Sequence, residues 1–96
     1  MIPPTIGREV WFQPNGTKPV ADGKPIYIFA DQPLDATVVC VWGDRIVNLT
    51  VADHGGQVHA FRSVTLRQDG DAVPIGHYCE WMPHQAAKAK QASASS

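Results

Sequence analysis

The sequence predicts an all-β fold, a small SH3-like antiparallel barrel of five to six strands. Residues 36–52 form the densest run of β-branched and aromatic side chains, with a Gly43-Asp44 turn signal at its middle. Other short apolar runs alternate with polar residues and end at clusters of Gly, Pro, Asn or Asp. The 96 residues fit one domain, which we assign to residues 1–84. Residues 85–96 contain only Ala, Lys, Gln and Ser, and we expect a disordered or short helical tail.

The first strand is predicted at residues 6–12. Its alternation places Val10 and Phe12 on one face and Trp11 on the other. Residues 13–25 follow with three prolines and two turn dipeptides. Because these residues favour turns and proline lacks a ladder donor, we expect a long loop there.

The next apolar run, residues 26–30, reads Ile-Tyr-Ile-Phe-Ala. It is either an edge strand or an exposed flap. An apolar run that the chain itself leaves uncovered is a surface for oligomer contacts or ligands. The predicted interface residues are therefore Ile26, Tyr27, Ile28 and Phe29.

Residues 36–52 are interpreted as two antiparallel strands folded back on each other. The first arm, residues 36–42, carries apolar or β-branched side chains on both faces, so we expect both faces to be covered. In the second arm, residues 46–52, apolar side chains alternate with Asn48 and Thr50. We expect that arm to be half-buried, with its polar face free for contacts.

A further strand is predicted at residues 57–67, where Val58 and Ala60 share their parity with Val64 and Leu66. A bulge near residues 60–63 would turn Phe61 inward and Arg62 outward. The last strand is predicted at residues 77–82, which Pro83 ends.

Two cysteines, Cys40 and Cys79, lie in apolar strand-like contexts. We expect buried thiols on neighbouring strands, with a disulfide as the alternative, because disulfide scaffolds of this length usually carry more cysteines. His77, Cys79 and His84 are spaced closely enough to suggest zinc, but a zinc site usually needs a fourth ligand. We therefore predict no metal site.

Catalytic motifs are weak in this chain. Asp53 and His54 could form an acid–base pair, yet the Asp-His-Gly-Gly sequence is already explained by a tight turn. No nucleophile elbow or phosphate-binding Walker loop is present in the sequence. We predict a protein that is not an enzyme and needs no cofactor.

The formal net charge is −1 and the sequence pI is about 6.4. This balance makes nucleic acid an unlikely partner of the whole domain. The sequence has no basic and apolar leader and no apolar run of the length that spans a membrane. We expect a soluble cytoplasmic protein without a membrane partner.

Arginine and aromatic side chains provide the clearest binding chemistry, since a guanidinium can hold a phosphate while a ring stacks on a base. The alternative is that the arginines pair with nearby acids, Arg8 with Glu9 or Glu80 and Arg45 with Asp44. The predicted ligand-binding residues are Arg8, Trp11, Asn48, Arg62 and Trp81.

Several stretches resemble a family of small tailed-phage and prophage proteins. The resemblance lies in Ile-Gly-Arg-Glu-Val-Trp-Phe at residues 6–12, in Val-Asn-Leu-Thr-Val at 47–51 with Asp53 and Gly56, and in the Trp-Met-Pro close at 81–83. The pattern typical of that family is G-R-x-V-x-[FY], followed by V-N-L-x-V-x-D-x-x-G and then by W-x-P, and this chain is similar to it. The resemblance implies phage origin and a compact β fold, and it supplies no catalytic residues.

Together these observations predict a non-enzymatic phage or prophage accessory protein that acts by binding, with a counter-defence role as one form of that activity. We expect a homo-oligomer that sequesters a small anionic, nucleotide-type signal or a host factor. A virion-associated structural or protein-interaction module is the first alternative. A single-stranded nucleic-acid binder is the second, since small barrels bind single strands by stacking.

Overall fold

The computed structural model describes residues 1–15, 20–21, 24–30, 32–83 and 85 of the chain. The predicted tail after residue 85, His84 of the possible metal set and part of the predicted loop at 13–25 lie outside the described residues. The strands are β1 (Glu9–Gln13), β2 (Val20–Ala21), β3 (Lys24–Pro25), β4 (Leu34–Gly43), β5 (Ile46–Ala52), β6 (Val58–Arg67) and β7 (Tyr78–Glu80).

Five strands close into a barrel in the order β1-β4-β5-β6-β7, which confirms the predicted all-β class and is consistent with a small SH3-like barrel. Neighbouring strands are antiparallel, except that β6 and β7 are parallel. A parallel pair needs a crossover rather than a tight turn, and residues 68–77 provide it. β2 and β3 form a small separate hairpin, so residues 13–25 are not loop throughout.

The barrel interior is filled by inward-facing side chains of all five strands. Each buried aliphatic or aromatic side chain contributes roughly 1.5–3 kcal/mol, so this cluster is the main favourable term in folding. The core consists of Val10, Phe12, Leu34, Ala36, Val38, Val47, Leu49, Val51, Phe61, Val64, Leu66, Cys79 and Trp81.

Within the described part of the chain, no helix has the length and apolar character needed to cross a membrane.

The first strand begins at Glu9, later than the predicted start at residue 6. Ile6 is 72% exposed, and Gly7 has a φ of 93°, which glycine adopts without strain. The Gly7 amide donates to the Val38 carbonyl at 2.8 Å, and the Val38 amide donates to the Arg8 carbonyl at 2.9 Å. Residues 6–7 therefore form a turn that brings the chain onto β4.

Strand β4 has two halves with different surroundings. Residues 34–38 pair with β1 on one edge and β5 on the other. Residues 39–43 pair with β5 alone, and register shifts at both ends of this stretch twist it. We call them the enclosed half and the open half. The prediction that both faces of this arm are covered is wrong for the open half, where Val39 and Trp42 are 44% and 66% exposed.

Strand β6 contains the predicted bulge. Arg62 and Ser63 together lie opposite Asn48, and Ser63 has a φ of 53°. Phe61 points inward and Arg62 outward, as the sequence predicts. The parity of the first half was predicted wrongly, because Val58 is 63% exposed and His59 is buried instead.

His59 is buried because it has a buried partner. Its Nε2 lies 2.9 Å from Oδ2 of Asp53, in the turn between β5 and β6. The other Asp53 oxygen accepts the backbone amides of Gly55 and Gln57, each at 2.9 Å. The Asp53 carboxylate, the His59 ring and the two backbone amides thus all find hydrogen-bond partners locally, and these bonds fix the conformation of the turn.

Gln68 is a second buried polar anchor, 2% exposed. Its Oε1 accepts from the Ile2 amide and from Trp81 Nε1, both at 3.1 Å. Its Nε2 donates to the carbonyls of Ile2 and Asp44, both at 2.9 Å. One side chain therefore joins the N-terminus, the turn after β4 and the segment after β7.

The cysteines are free, so no disulfide links them. Cys79 is buried, and its Sγ lies 3.5 Å from the Thr65 carbonyl oxygen. Cys40 is only half-buried, in the open half of β4. The expectation of neighbouring strands is wrong, because β1 lies between β4 and β7 in the barrel.

Candidate ligand-binding surface

Asn48 organises the outer face of β5. Its Oδ1 accepts two hydrogen bonds, from Trp42 Nε1 at 2.9 Å and from the Ser63 amide at 2.8 Å. The first bond fixes an indole ring that is 66% exposed. The second satisfies a backbone amide in the β6 bulge, next to the left-handed φ of Ser63. A non-glycine residue in that conformation costs of order 1 kcal/mol, and such strain often occurs at functional sites.

Arg62 lies at the same bulge, opposite Asn48 in the strand register. Its side chain is exposed, and within the described part of the chain its guanidinium makes no hydrogen bond or ion pair. An arginine without a carboxylate partner keeps its donors available for a phosphate or carboxylate ligand. Trp42, Asn48, Arg62 and Ser63 together form what we call the bulge surface.

Two other arginines are engaged by acids. Arg45 Nε lies 2.9 Å from Asp71 Oδ2, and Arg67 contacts Glu80 at 3.4 Å. In the alternative, in which arginines pair with nearby acids, Arg45 was assigned to Asp44, whereas its bidentate partner in the structure is Asp71. Arg45 holds the pKa of Asp71 below its ordinary value.

Arg8 and Trp11 lie away from the bulge surface, because β4 and β5 separate β1 from β6 on that side of the barrel. Arg8 is exposed and pairs with neither Glu9 nor Glu80 among the described contacts. Trp11 is half-buried between the β4 residue Asp35 and the β7 residue Glu80.

The outer face around Trp11 is acidic. Thr37 Oγ1 donates to Glu9 Oε1 at 2.6 Å. A hydrogen bond with Glu9 raises the pKa of Asp35, and partial burial and the Glu9 charge raise it further. The carboxyl groups of Glu9 and Asp35 lie close together there and disfavour an anionic ligand, so the predicted site does not extend to Trp11.

Trp81 was also predicted to bind ligand, and the structure places it in the core. Its side chain is 6% exposed, and its Nε1 donates to the buried Gln68. A ring packed on both faces cannot stack on a base. Of the five predicted residues, only Asn48 and Arg62 therefore lie together.

The predicted interface at Ile26–Phe29 divides into two faces. Ile26 and Ile28 pack against the core cluster, whereas Tyr27 and Phe29 are 58% and 60% exposed. His54 fixes this segment: its Nδ1 accepts from the Phe29 amide at 2.7 Å, and its amide donates to the Tyr27 carbonyl at 3.0 Å. We call Tyr27 and Phe29 the aromatic pair.

Groups with catalytic potential are used structurally. The hydrogen bond from His59 and, to a lesser degree, those from backbone amides lower the pKa of Asp53 to about 2, although burial opposes the shift. His54 contacts the backbone of residues 27–33 rather than Asp53. Burial raises the pKa of the Cys79 thiol to about 12, so it stays protonated at neutral pH. The described residues contain no cluster of His, Cys, Asp and Glu that could hold a metal ion.

Sequence reasoning missed Trp42 and Ser63 as site residues. Trp42 was assigned to a covered face, and it is exposed where the chain turns at Gly7, before β1 begins, and covers the edge of β4 only as far as Val38. Ser63 gave one usable signal, because the disturbed alternation of residues 58–66 predicts a bulge there. Comparisons of the chain with protein-family models, curated proteins and solved structures find no match.

Proposed function

We propose that the protein is a non-enzymatic binding protein that sequesters a small nucleotide-type anion, as a homo-oligomer. The resemblance to phage and prophage proteins supports an accessory role in the host cytoplasm, with counter-defence as one form of it. Binding is stoichiometric, so the protein acts by lowering the concentration of free ligand.

The observation that carries this proposal is the pair of bonds to Asn48 Oδ1. They fix an exposed indole beside a bulge that presents an arginine without an acid partner among the described residues. The Asn48 Nδ2 remains available as a further donor, as it has no partner among the described contacts. Ring, guanidinium and amide are the groups that bind a base and its phosphate.

The energetics favour this use of the surface. Stacking of a base on an aromatic ring is worth roughly 1–3 kcal/mol. A hydrogen bond to a charged group adds roughly 1.5–3 kcal/mol. Because Trp42 and the Ser63 backbone are already fixed by Asn48, less conformational entropy is lost on binding.

The test is a melting-temperature screen with a panel of mono-, di- and cyclic nucleotides. A ligand at 100 times its Kd stabilises by about 2.7 kcal/mol, which is a rise of roughly 10–20 °C in a domain of this size. We expect Arg62→Ala and Trp42→Ala to lose the rise. Arg8→Ala is the matched control, because Arg8 is the other exposed arginine that lacks a described acid partner.

If Arg8→Ala abolishes the nucleotide-induced rise in melting temperature and Arg62→Ala preserves it, the ligand does not bind at the bulge surface. If no nucleotide raises the melting temperature of the wild-type protein, the nucleotide proposal is wrong.

A second candidate function is the capture of a protein, either a host factor or a virion component. The aromatic pair supports it, because Tyr27 and Phe29 are more than half exposed while hydrogen bonds to His54 hold their backbone in place. Rigid aromatic side chains are common anchors of protein interfaces. Co-purification that Phe29→Ala abolishes and Arg62→Ala preserves would favour this candidate over nucleotide binding.

A further inference from the structure

Among the residues that the structure describes, the open half of β4 is an uncovered strand edge. Residues 39–43 pair with β5 on one side, and none of them has a backbone partner on the other side within the described part of the chain. β1 covers that edge only as far as Val38. An unpaired edge presents N–H and C=O groups that can bond to a strand of another chain.

The side chains of this edge are also suited to association. Val39, Cys40, Val41 and Trp42 carry no charge, and three of them are exposed apolar groups. Natural edges are commonly protected by lysine, proline or a covering element. The residues of the open half provide none of these, although its register shifts twist the edge.

Two copies of this edge can pair antiparallel about a two-fold axis near Val41. Residue 39 of one copy would then lie opposite residue 43 of the other, and the two strands would be about 4.8 Å apart. The second copy's strand would run in the direction of β1, since both are antiparallel to β4. Its turn at Asp44 would therefore arrive at the start of β1.

The charges at that meeting point are complementary. Arg8 immediately precedes β1 and is exposed, with no described side-chain partner. Asp44 is exposed, and the guanidinium of the adjacent Arg45 is bonded to Asp71 at 2.9 Å. The two-fold axis makes this Asp44–Arg8 contact twice, once on each side of the paired strands.

We propose that the protein forms a two-fold dimer in which the open halves of β4 pair edge to edge and Asp44 of each copy contacts Arg8 of the other. This inference rests on the homo-oligomer part of the proposed function and specifies its interface. The dimer continues the outer sheet from one barrel to the next, so the two bulge surfaces lie on one extended sheet. Five residues per strand make a small interface, and the dimer fraction rises with protein concentration.

The test is charge exchange, read by light scattering on size-exclusion fractions over a range of concentrations. Arg8→Glu and Asp44→Lys each place like charges together and should raise the dimer Kd by roughly tenfold or more. The double variant restores opposite charges and should return the Kd to near the wild-type value. Gln57→Glu is the control, because Gln57 is exposed in the β5–β6 turn, at the opposite end of β5 from the open half, and this variant should leave the Kd unchanged.

Hydrogen exchange provides an independent readout. Amides within residues 39–43 should be protected at high protein concentration and lose that protection in Arg8→Glu. A dimer that both single variants leave intact, or that Phe29→Ala abolishes, would overturn the edge interface while leaving a homo-oligomer in place. A strict monomer at all concentrations would overturn the homo-oligomer itself, and the nucleotide screen reports on the ligand separately.

Discussion

The enclosed and open halves of β4 have similar composition and different fates. The enclosed half contains Leu34 and Val38, both fully buried. The open half contains Val41 and Trp42, 37% and 66% exposed. β-branched and apolar residues occupy both halves. The difference lies in β1, which pairs with the edge of the enclosed half. The chain before β1 turns away at Gly7, so the edge of the open half is left without that partner.

This difference teaches that an apolar strand is not by itself a buried strand. Whether its edge and its second face are covered depends on where another strand begins, far away in sequence. In this protein the uncovered half lies beside the bulge surface and carries the proposed dimer edge. The enclosed half contributes side chains to the buried core of the barrel.

The open half is exposed but anchored. The turn that follows it is bonded through the Asp44 carbonyl to Gln68, and the Arg45 carbonyl accepts the Leu66 amide at 2.9 Å. These bonds hold the hairpin tip against β6. The open half is therefore presented as a fixed surface.

The largest effect is expected from removing that anchor. Gln68→Ala leaves the buried Trp81 Nε1 without an acceptor and the carbonyls of Ile2 and Asp44 without a donor. At ~1–3 kcal/mol for an unsatisfied buried group, we expect a loss of about 3 kcal/mol in the free energy of unfolding. Urea denaturation measures it, with exposed Gln57→Ala as the matched control. A loss no greater than that of the control would mean that the open half is held by its ladder bonds alone.

The two halves of β4 can be compared directly through one pair of variants. Val38→Ala removes a fully buried side chain and should cost about 2 kcal/mol, whereas Val41→Ala should cost less than about 1 kcal/mol. Both replace valine in the same strand, so strand propensity largely cancels. Equal costs in a dilute monomer would show that the open half is as well packed as the enclosed half.

An effect that appears only in acid is expected from Asp53, in the β5–β6 turn near the enclosed half of β4. Its pKa in the folded protein is about 2, below the ordinary 3.8, because His59 donates to it. A group with a lowered pKa stabilises fully above its unfolded value, and that contribution is lost as the pH falls from 3.8 toward 2. We expect the free energy of unfolding to fall across that range.

The measurement is urea denaturation at several pH values, with exchange of the Gly55 and Gln57 amides as a local probe, since both bond to Asp53. Asp53→Asn should flatten this part of the pH dependence. A variant whose pH profile overlays the wild-type profile would remove Asp53 as its source.

Much of the fold could be predicted from the sequence, and the site only in part. The hairpin arms and the bulge that turns Phe61 inward follow from local patterns, as does the hairpin turn, which lies at residues 44–45, one residue later than the Gly43-Asp44 signal. Arg62 was predicted as a guanidinium able to hold a phosphate, and Asn48 because it lies on the polar face of the second hairpin arm. Trp81 was assigned wrongly, because the ring's burial depends on Gln68, an isolated polar residue that looks like part of a turn.

By itself, the sequence determined the β class, the five barrel strands to within a few residues and the reduced state expected of two cysteines. These depend on alternation, turn residues and composition, which act over a few neighbouring positions. Tertiary structure alone decided which apolar residues of β4 face solvent, which arginines lack acid partners and which histidine is buried. Those outcomes depend on the barrel register, which pairs residues that are distant in the chain, and so no local pattern contains them.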